Sequence, residues 1–98
     1  MSYSIHVRRQ AKSDLQRAAK WYEKQRAGLG REFVLDIEAA LSRIVEKPFL
    51  WQDIHCGVRR AIAQRFPYGI FYWIGHSDIV VFAIVHLHRD PAYWQDRL

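Results

Sequence analysis

The side chains that could do chemistry in this sequence are cationic or titratable, and they gather in its carboxyl-terminal half. They are Arg59, Arg60, Arg65, His86, His88 and Arg89. Guanidinium groups bind phosphate, and an imidazole exchanges protons near neutral pH. On a strand the two histidines would point to the same side, a spacing that could hold a metal ion, but no third ligand stands beside them. The sequence therefore predicts no metal site, and it leaves proton transfer, phosphate contact and a structural hydrogen bond open for the histidines.

Basic charge is concentrated in the amino-terminal third of the chain. Residues 8–31 carry eight basic and two acidic side chains, a local charge of +6, whereas the whole chain carries +5. This excess suits an acidic partner, either nucleic acid or an acidic protein segment. A solvated helix face is the alternative interpretation of the same charges.

Length and composition predict one small domain spanning residues 1–98. A chain of 98 residues has room for one core, and half of its residues are hydrophobic. The one cysteine, Cys56, cannot form an internal disulfide, so we expect a cytoplasmic protein. The sequence contains neither a secretory signal nor an apolar run of about 18 residues, so no membrane segment is predicted. No cofactor is implied.

Hydrophobic periodicity predicts a strand followed by two helices. Tyr3, Ile5 and Val7 alternate with polar residues, as in a half-buried strand. Apolar residues at helical spacing then predict helices over residues 11–25 and 31–46. A connection of only about five residues favours an antiparallel helical hairpin.

Three strands are predicted in the second half, over residues 58–64, 68–74 and 79–87, after a loop over 47–57. Their connections are too short for parallel crossovers, which predicts an antiparallel meander. The run from Ile79 to Val85 is apolar on both faces, so this strand should be interior. The predicted fold class is α+β: an N-terminal strand, an antiparallel helical hairpin packed on an antiparallel β-sheet, and a short C-terminal helix or tail over residues 92–98.

Several short motifs stand in order along these elements. They are Ala11-Lys12-Ser13-Asp14-Leu15, Trp21-Tyr22-Glu23, Gly28-Leu29-Gly30 with Phe33, Val58-Arg59-Arg60, Arg65-Phe66-Pro67-Tyr68 with Ile70 and Tyr72, and His86 with Arg89-Asp90-Pro91 and Trp94. This ordered set resembles the RelE/ParE superfamily of toxins from bacterial type II toxin–antitoxin modules. The resemblance implies the same fold and a growth-inhibiting toxin that a cognate acidic antitoxin neutralises in a hetero-oligomer.

Two branches of that superfamily differ in chemistry. RelE-like toxins cut messenger RNA on the ribosome, whereas ParE-like toxins poison DNA gyrase and are not known as nucleases. Cleavage of RNA through its 2′-hydroxyl needs a base, a proton donor and cations for the phosphorane charge. If the chain were such an endoribonuclease, the residues available to its site would be Arg59 or Arg60, which face opposite ways on a strand, together with Arg65, His86 or His88, and Arg89.

The sequence departs from the nuclease pattern. No lysine or arginine occurs from residue 48 to residue 58, where such enzymes usually carry basic residues. Gly69 and Ile70 follow Tyr68 where an arginine is expected, and Trp94 stands near the place of a catalytic tyrosine. The resemblance is therefore closer to the ParE-like branch, which implies a gyrase poison that is not an enzyme. A ribosome-dependent endoribonuclease and an inactive antitoxin-binding module are the alternatives.

The resemblance also implies two contact surfaces. For the target we expect contacts from Arg60, Arg65, Tyr68, His88, Arg89 and Trp94. Among the four tryptophans, which cannot all be core, Trp94 is the best contact candidate because we expect it on a mobile tail. For the antitoxin we expect contacts from the first helix, through Arg17, Lys20, Trp21 and Lys24, and a complex that salt weakens.

Overall fold

The structure is a computed structural model that describes residues 3–98. Its elements follow in the order β1 (Ser4–Val7), α1 (Arg9–Gln25), α2 (Leu29–Glu46), β2 (Asp53–His55), β3 (Val58–Ile62), β4 (Tyr68–Ile74), β5 (Asp78–His86) and α3 (Ala92–Gln95). Both long helices begin two residues earlier than the periodicity indicated. The predicted loop over 47–57 contains one further strand, β2.

The two long helices approach closely at Gly30. A Cβ atom at this position would lie 2.6 Å from the carbonyl oxygen of Ala19, so the crossing of α1 and α2 requires glycine. Glu23 on α1 accepts hydrogen bonds from the N–H groups of Gly28 and Gly30, at 2.9 and 3.0 Å. Both amides lie at the start of α2, where backbone N–H groups have no partner within the helix. One side chain thus fixes the hairpin turn.

The sheet has five strands in the order β1-β5-β4-β3-β2. Strands β3, β4 and β5 form the predicted antiparallel meander, and β2 extends it at one edge. At the other edge β1 runs parallel to β5, so the sheet is mixed and not purely antiparallel. Parallel neighbours need a long connection, which the hairpin and the following strands supply. Strand β5 is interior, as its two apolar faces predicted.

The two faces of the sheet carry separate apolar clusters. The helices cover one face, where Phe33 and Ile37 pack with Tyr72. On the opposite face lies a second cluster, in which Trp94 of α3 stacks on Phe71 with ring centroids 4.7 Å apart. Trp94 is only 7% exposed, so the expectation of an exposed tryptophan on the tail is wrong. The apolar side chains on this face would otherwise lie open to water, and covering them favours the buried position.

This architecture confirms the predicted fold class, an α+β arrangement of a strand, a helical hairpin on a sheet and a short C-terminal helix. Within residues 3–98, none of the helices combines the length and apolar character that crossing a membrane requires.

Candidate functional site

Part of strand β5 has no neighbouring strand on one side within residues 3–98. β1 pairs only with residues 78–81, although β5 continues to residue 86. The register with β4 steps from Val81 to Ala83, which leaves Phe82 as the extra residue of a β-bulge. Beyond the bulge, the backbone N–H of Ile84 points away from β4 and toward α1. An edge of this kind exposes backbone groups that a further chain can bind.

Two side chains cap the first part of this edge. The Asp14 carboxylate on α1 accepts a hydrogen bond from the Ile84 N–H at 3.0 Å, and Arg97 donates to the Phe82 carbonyl at 3.0 Å. Asp14 and Arg97 also form an ion pair at 2.6 Å, with side chains only 2% and 14% exposed. The hydrogen bond to Asp14 raises the pKa of Arg97. The C-terminal segment is therefore tied to both α1 and β5.

Further donors complete the surroundings of the Asp14 carboxylate. The Tyr93 hydroxyl donates at 2.9 Å and the Arg17 guanidinium at 2.7 Å. The guanidinium groups of Arg89 and Arg97 lie 4.3 and 4.6 Å from the centroid of the Tyr93 ring, where a cation is attracted by the ring face. The buried Asp14 carboxylate thus links α1, the uncovered part of β5 and the C-terminal segment that carries Tyr93 and Arg97.

A groove of about 510 Å³ lies between α1 and the uncovered end of β5. Trp21 and Tyr22 line it from α1, and Tyr68, His86 and Arg89 line it from the sheet side. Trp21 is 58% exposed, so a large apolar ring is presented to solvent at the groove. The volume lies within the range of about 300–1,000 Å³ that is common for ligand sites.

The groove combines aromatic walls with a cationic rim. The rings of Tyr22 and Tyr68 meet edge to face with centroids 6.1 Å apart. Burial raises the pKa of Tyr22, and burial together with the neighbouring Tyr22 raises that of Tyr68, so both phenols are neutral at physiological pH. The charges come from Arg17, whose side chain is 62% exposed, and from the exposed Arg89. Such a site suits a partner with acidic and apolar side chains.

Two of the four side chains predicted to bind an antitoxin line this groove, and the other two extend from it. Arg17 and Trp21 are part of the lining, while Lys20 and Lys24 are exposed farther along α1. The structure therefore brings these four residues to one side of α1.

The side chains predicted to contact the target are divided among several places. Tyr68 and Arg89 line the same groove, and His88 is exposed next to it. Arg60 lies on the opposite face of the sheet, because it pairs with Phe71 of the second cluster. The remaining two do not join them: Arg65 donates to Glu32 at 2.8 Å, and Trp94 is buried.

Of the residues predicted for RNA cleavage, His86, His88 and Arg89 lie together at the groove, whereas Arg59, Arg60 and Arg65 lie elsewhere. Arg59 pairs with Tyr72 on the helix-covered face and donates to the Trp51 carbonyl, so it points away from Arg60. Arg65 is bound to Glu32, and the hydrogen bonds from Arg65 and Arg26 lower the pKa of that carboxyl group. General acid–base catalysis needs the base, the acid and the cations within hydrogen-bonding reach of one reacting group.

The histidines lie at the end of β5. Nδ1 of His86 accepts a hydrogen bond from the His88 N–H at 3.1 Å, and the two rings are 5.4 Å apart. His86 also lies 5.4 Å from the ring of Tyr68. Of the three interpretations open for the histidines, a structural hydrogen bond is the one that His86 makes. Among residues 3–98, no group of three or more His, Cys, Asp or Glu side chains could hold a metal ion.

Sequence reasoning missed Asp14, Tyr93 and Arg97, which hold the edge of β5. A signal for Asp14 was present, since it stands between Ala11 and Ala18 on the buried side of α1 and is itself only 5% exposed. An acidic residue within an apolar stripe predicts a buried carboxylate, which in turn requires a cationic or N–H partner. No comparable local pattern indicates which distant arginine would be that partner.

A family model of the ParE toxin of the type II toxin–antitoxin system parDE matches residues 5–91. The chain belongs to this ParE toxin family. Among solved structures, a chromosomal ParDE toxin–antitoxin system from Pseudomonas aeruginosa is similar, with a TM-score of 0.78 and 18% identity over 86% of this chain and 95% of that one. The RelBE2 toxin–antitoxin complex from Mycobacterium tuberculosis is similar with a TM-score of 0.60 and 18% identity, over 88% and 99% of the two chains. No curated protein sequence matches.

The protein is accordingly a RelE/ParE-superfamily toxin of a type II toxin–antitoxin system, on the ParE-like side, as its motifs predicted. Its partner is an antitoxin. The family match ends at residue 91, so α3 and the Arg97 contact lie beyond the matched region.

Proposed function

We propose that this ParE-family toxin stops growth by binding and poisoning DNA gyrase in the cytoplasm, without cutting RNA, and that an acidic antitoxin neutralises it by occupying the groove beside α1. Gyrase poisoning is what the ParE-like resemblance implies. Occupation of the groove by the antitoxin would explain how the toxin is neutralised.

The observation that carries the proposal is that part of each predicted contact surface lies in this groove. Arg17 and Trp21 were predicted to bind the antitoxin, and Tyr68 and Arg89 to contact the target, yet all four line one cavity. An antitoxin bound there would cover Tyr68 and Arg89 and remove them from any other macromolecule. Neutralisation then follows from direct competition and requires no conformational change.

The arrangement of the candidate nuclease side chains favours gyrase poisoning over RNA cleavage. Arg59 and Arg60 lie on opposite faces of the sheet, and Arg65 is bound to Glu32. The face that carries Arg60 is filled by an apolar cluster around Phe71 and Trp94. A phosphorane-like transition state needs several preorganised cations around one phosphate, and neither Arg59 nor Arg65 joins Arg60 on this face.

The test is to induce the chain without a partner in bacteria and to follow growth, transcript integrity and DNA-damage signalling together. The expected result is arrested growth with intact transcripts and induced damage signalling. Purified protein should also inhibit supercoiling by gyrase. Cleaved transcripts without damage signalling would identify a ribosome-dependent endoribonuclease, and normal growth at full expression would identify an inactive antitoxin-binding module. Either result would overturn the proposal.

A pair of arginine variants locates the target surface. Arg89→Ala removes a cation from the groove rim, and we expect it to weaken gyrase inhibition by about twofold to fivefold, as for an exposed charge in an ion pair. Arg31→Ala removes a cation that is also exposed, but on α2, and should leave inhibition unchanged. Equal inhibition of gyrase by the two variants would show that the groove is not part of the target surface.

A further inference from the structure

We propose that the outward face of α1 binds the backbone of duplex DNA, with cations that reach phosphates on both sides of the major groove of the duplex. This surface, the α1 stripe, consists of Arg9, Lys12, Lys20 and Lys24. The inference rests on the proposed function in one respect, since a toxin bound to DNA gyrase lies next to the DNA on which that enzyme acts. It adds DNA as a second ligand, on a surface outside the groove beside β5.

The side chains of the α1 stripe share one face of the helix. At 100° per residue, all four fall within a sector of about 120° around the helix axis. All four residues are exposed. Within residues 3–98, the lining of the groove beside β5 includes none of them. The α1 stripe is therefore a separate surface, which a molecule bound in that groove leaves open.

Neighbouring carboxylates do not compensate the positive charge of the α1 stripe. Asp14 and Glu23 are the acidic residues of α1. Asp14 is buried against Arg97, and both carboxylate oxygens of Glu23 accept N–H groups at the start of α2. In the part of the chain that the structure describes, none of the ion pairs includes a residue of the stripe. A solvated helix face usually alternates charges of both signs, so this unpaired cationic face favours an anionic ligand.

The spacing of the cations matches the major groove of DNA. Arg9 and Lys12 form one pair, Lys20 and Lys24 form a second pair, and the exposed Gln16 lies between the pairs without a charge. The rise from residue 12 to residue 20 is about 12 Å along the helix axis. The major groove of B-form DNA is also about 12 Å wide. The two pairs can therefore contact phosphates of both strands while the uncharged middle of the stripe lies over the groove.

Other polyanions fit this spacing less well than duplex DNA. Duplex RNA is A-form, and its major groove is too narrow for side chains to enter. A disordered acidic protein segment has no fixed distance between its charges, and it loses conformational entropy when it binds. The gap between the two pairs of cations thus favours B-form DNA as the ligand.

The test measures binding of the full chain to a fluorescent DNA duplex of about 20 base pairs by fluorescence anisotropy. Four phosphate contacts give a slope of log K against log salt of about −3.6, so affinity should fall about a hundredfold between about 50 and 200 mM salt. Duplex RNA of the same sequence and a poly-glutamate peptide of equal length should bind at least tenfold more weakly. Equally tight binding of the RNA would contradict the match to the major groove, and equally tight binding of the peptide would assign the stripe to an acidic protein.

Lysine variants locate the contact. Lys12→Gln and Lys20→Gln should each weaken binding and reduce the magnitude of the salt slope by about 1, as expected for the loss of one phosphate contact. Lys47→Gln removes the same charge from an exposed position at the end of α2 and should leave the slope unchanged. Equal slopes for the three variants would mean that DNA responds only to net charge, which would overturn the inference.

A charge placed between the two pairs tests their spacing. Gln16→Glu puts a carboxylate over the groove and near the phosphates, so we expect binding to weaken by about tenfold. Gln52→Glu makes the same change at an exposed position before β2 and should have less effect. Thermal unfolding checks that both variants are folded. Equal affinities for the two glutamate variants would contradict the placement of the stripe across the major groove.

The binding measurement needs neither gyrase nor toxicity, so the two proposals can fail separately. If the chain does not bind DNA but still inhibits supercoiling by gyrase, the inference about the α1 stripe is wrong and the proposed function stands. If the chain binds DNA with the expected salt slope but does not inhibit gyrase, the proposed function is wrong and the α1 stripe remains a DNA-binding surface.

Discussion

At the scale of single residues, Asp14 is the side chain on which the site most depends. Its carboxylate accepts from the Ile84 N–H and from three side chains, those of Arg17, Tyr93 and Arg97. Charged groups are buried in proteins only where such partners offset the loss of hydration. Asp14 is the acceptor for the Ile84 N–H on the uncovered edge of β5.

We predict that Asp14→Asn lowers the free energy of unfolding by about 3 kcal/mol, because it leaves the partly buried Arg97 guanidinium without its counter-ion. Denaturation in urea measures this change, and hydrogen exchange at the Ile84 amide should become faster. Asp53→Asn is the control, because Asp53 is exposed on the edge strand β2 and its replacement should change stability by less than about 0.5 kcal/mol. Equal stabilities for the two variants would mean that the network is not coupled to folding.

At the scale of elements, the α1–α2 hairpin sets one wall of the groove, and Gly30 sets the distance between its helices. Alanine has the higher helix propensity, so Gly30→Ala would stabilise an isolated helix by about 1 kcal/mol. In the folded chain the new methyl group would meet the Ala19 carbonyl, and we predict destabilisation by about 1–3 kcal/mol. The sign of the change therefore separates tertiary packing from propensity.

Thermal unfolding of Gly30→Ala should be compared with that of Ser42→Ala, an exposed position on the same helix. The control introduces the same residue without a contact across the hairpin, and propensity alone should make it neutral or slightly stabilising. A stabilised Gly30→Ala variant would show that the helices separate readily and would remove the structural reason for glycine.

Some of these elements could be predicted from the sequence, and others could not. The helical hairpin, the meander and the interior position of β5 followed from periodicity, because apolar spacing reports burial directly. The parallel pairing of β1 and the short β2 did not follow, since pairing between strands distant in sequence leaves no local pattern. The burial of Trp94 was missed for the same reason: α3 is too short for a periodic signal, and the cluster that receives it comes from other strands.

The candidate site was predicted in pieces. Arg17, Trp21, Tyr68 and Arg89 were each singled out by residue type and by resemblance, but for two different surfaces. Their convergence in one groove depends on how α1 crosses the end of β5. This crossing is a feature of the tertiary structure. In the sequence, only the acidic Asp14 on the apolar side of α1 indicates it.

At the scale of the whole molecule, the location of the charge matters more than its sum. Residues 8–31 carry a net charge of +6, whereas the whole chain carries +5. The remaining residues together are therefore slightly acidic. Lys20 lies within the basic segment on α1, and Lys47 lies outside it at the end of α2; both are exposed. Replacing either with glutamine reduces the net charge by the same amount, so a difference between the two variants reports position alone.

We predict that association of the chain with the acidic antitoxin proposed above slows by about tenfold or more between low and high salt, because steering by exposed charges is screened beyond about 10 Å at 0.1 M. Lys20→Gln should slow association at low salt by about twofold, and Lys47→Gln should have little effect. Stopped-flow measurements over a salt series check both statements. Equal rates for the two variants would show that the antitoxin responds to net charge and not to the basic side of α1, and a rate independent of salt would show that contacts in the groove, formed after encounter, control the reaction.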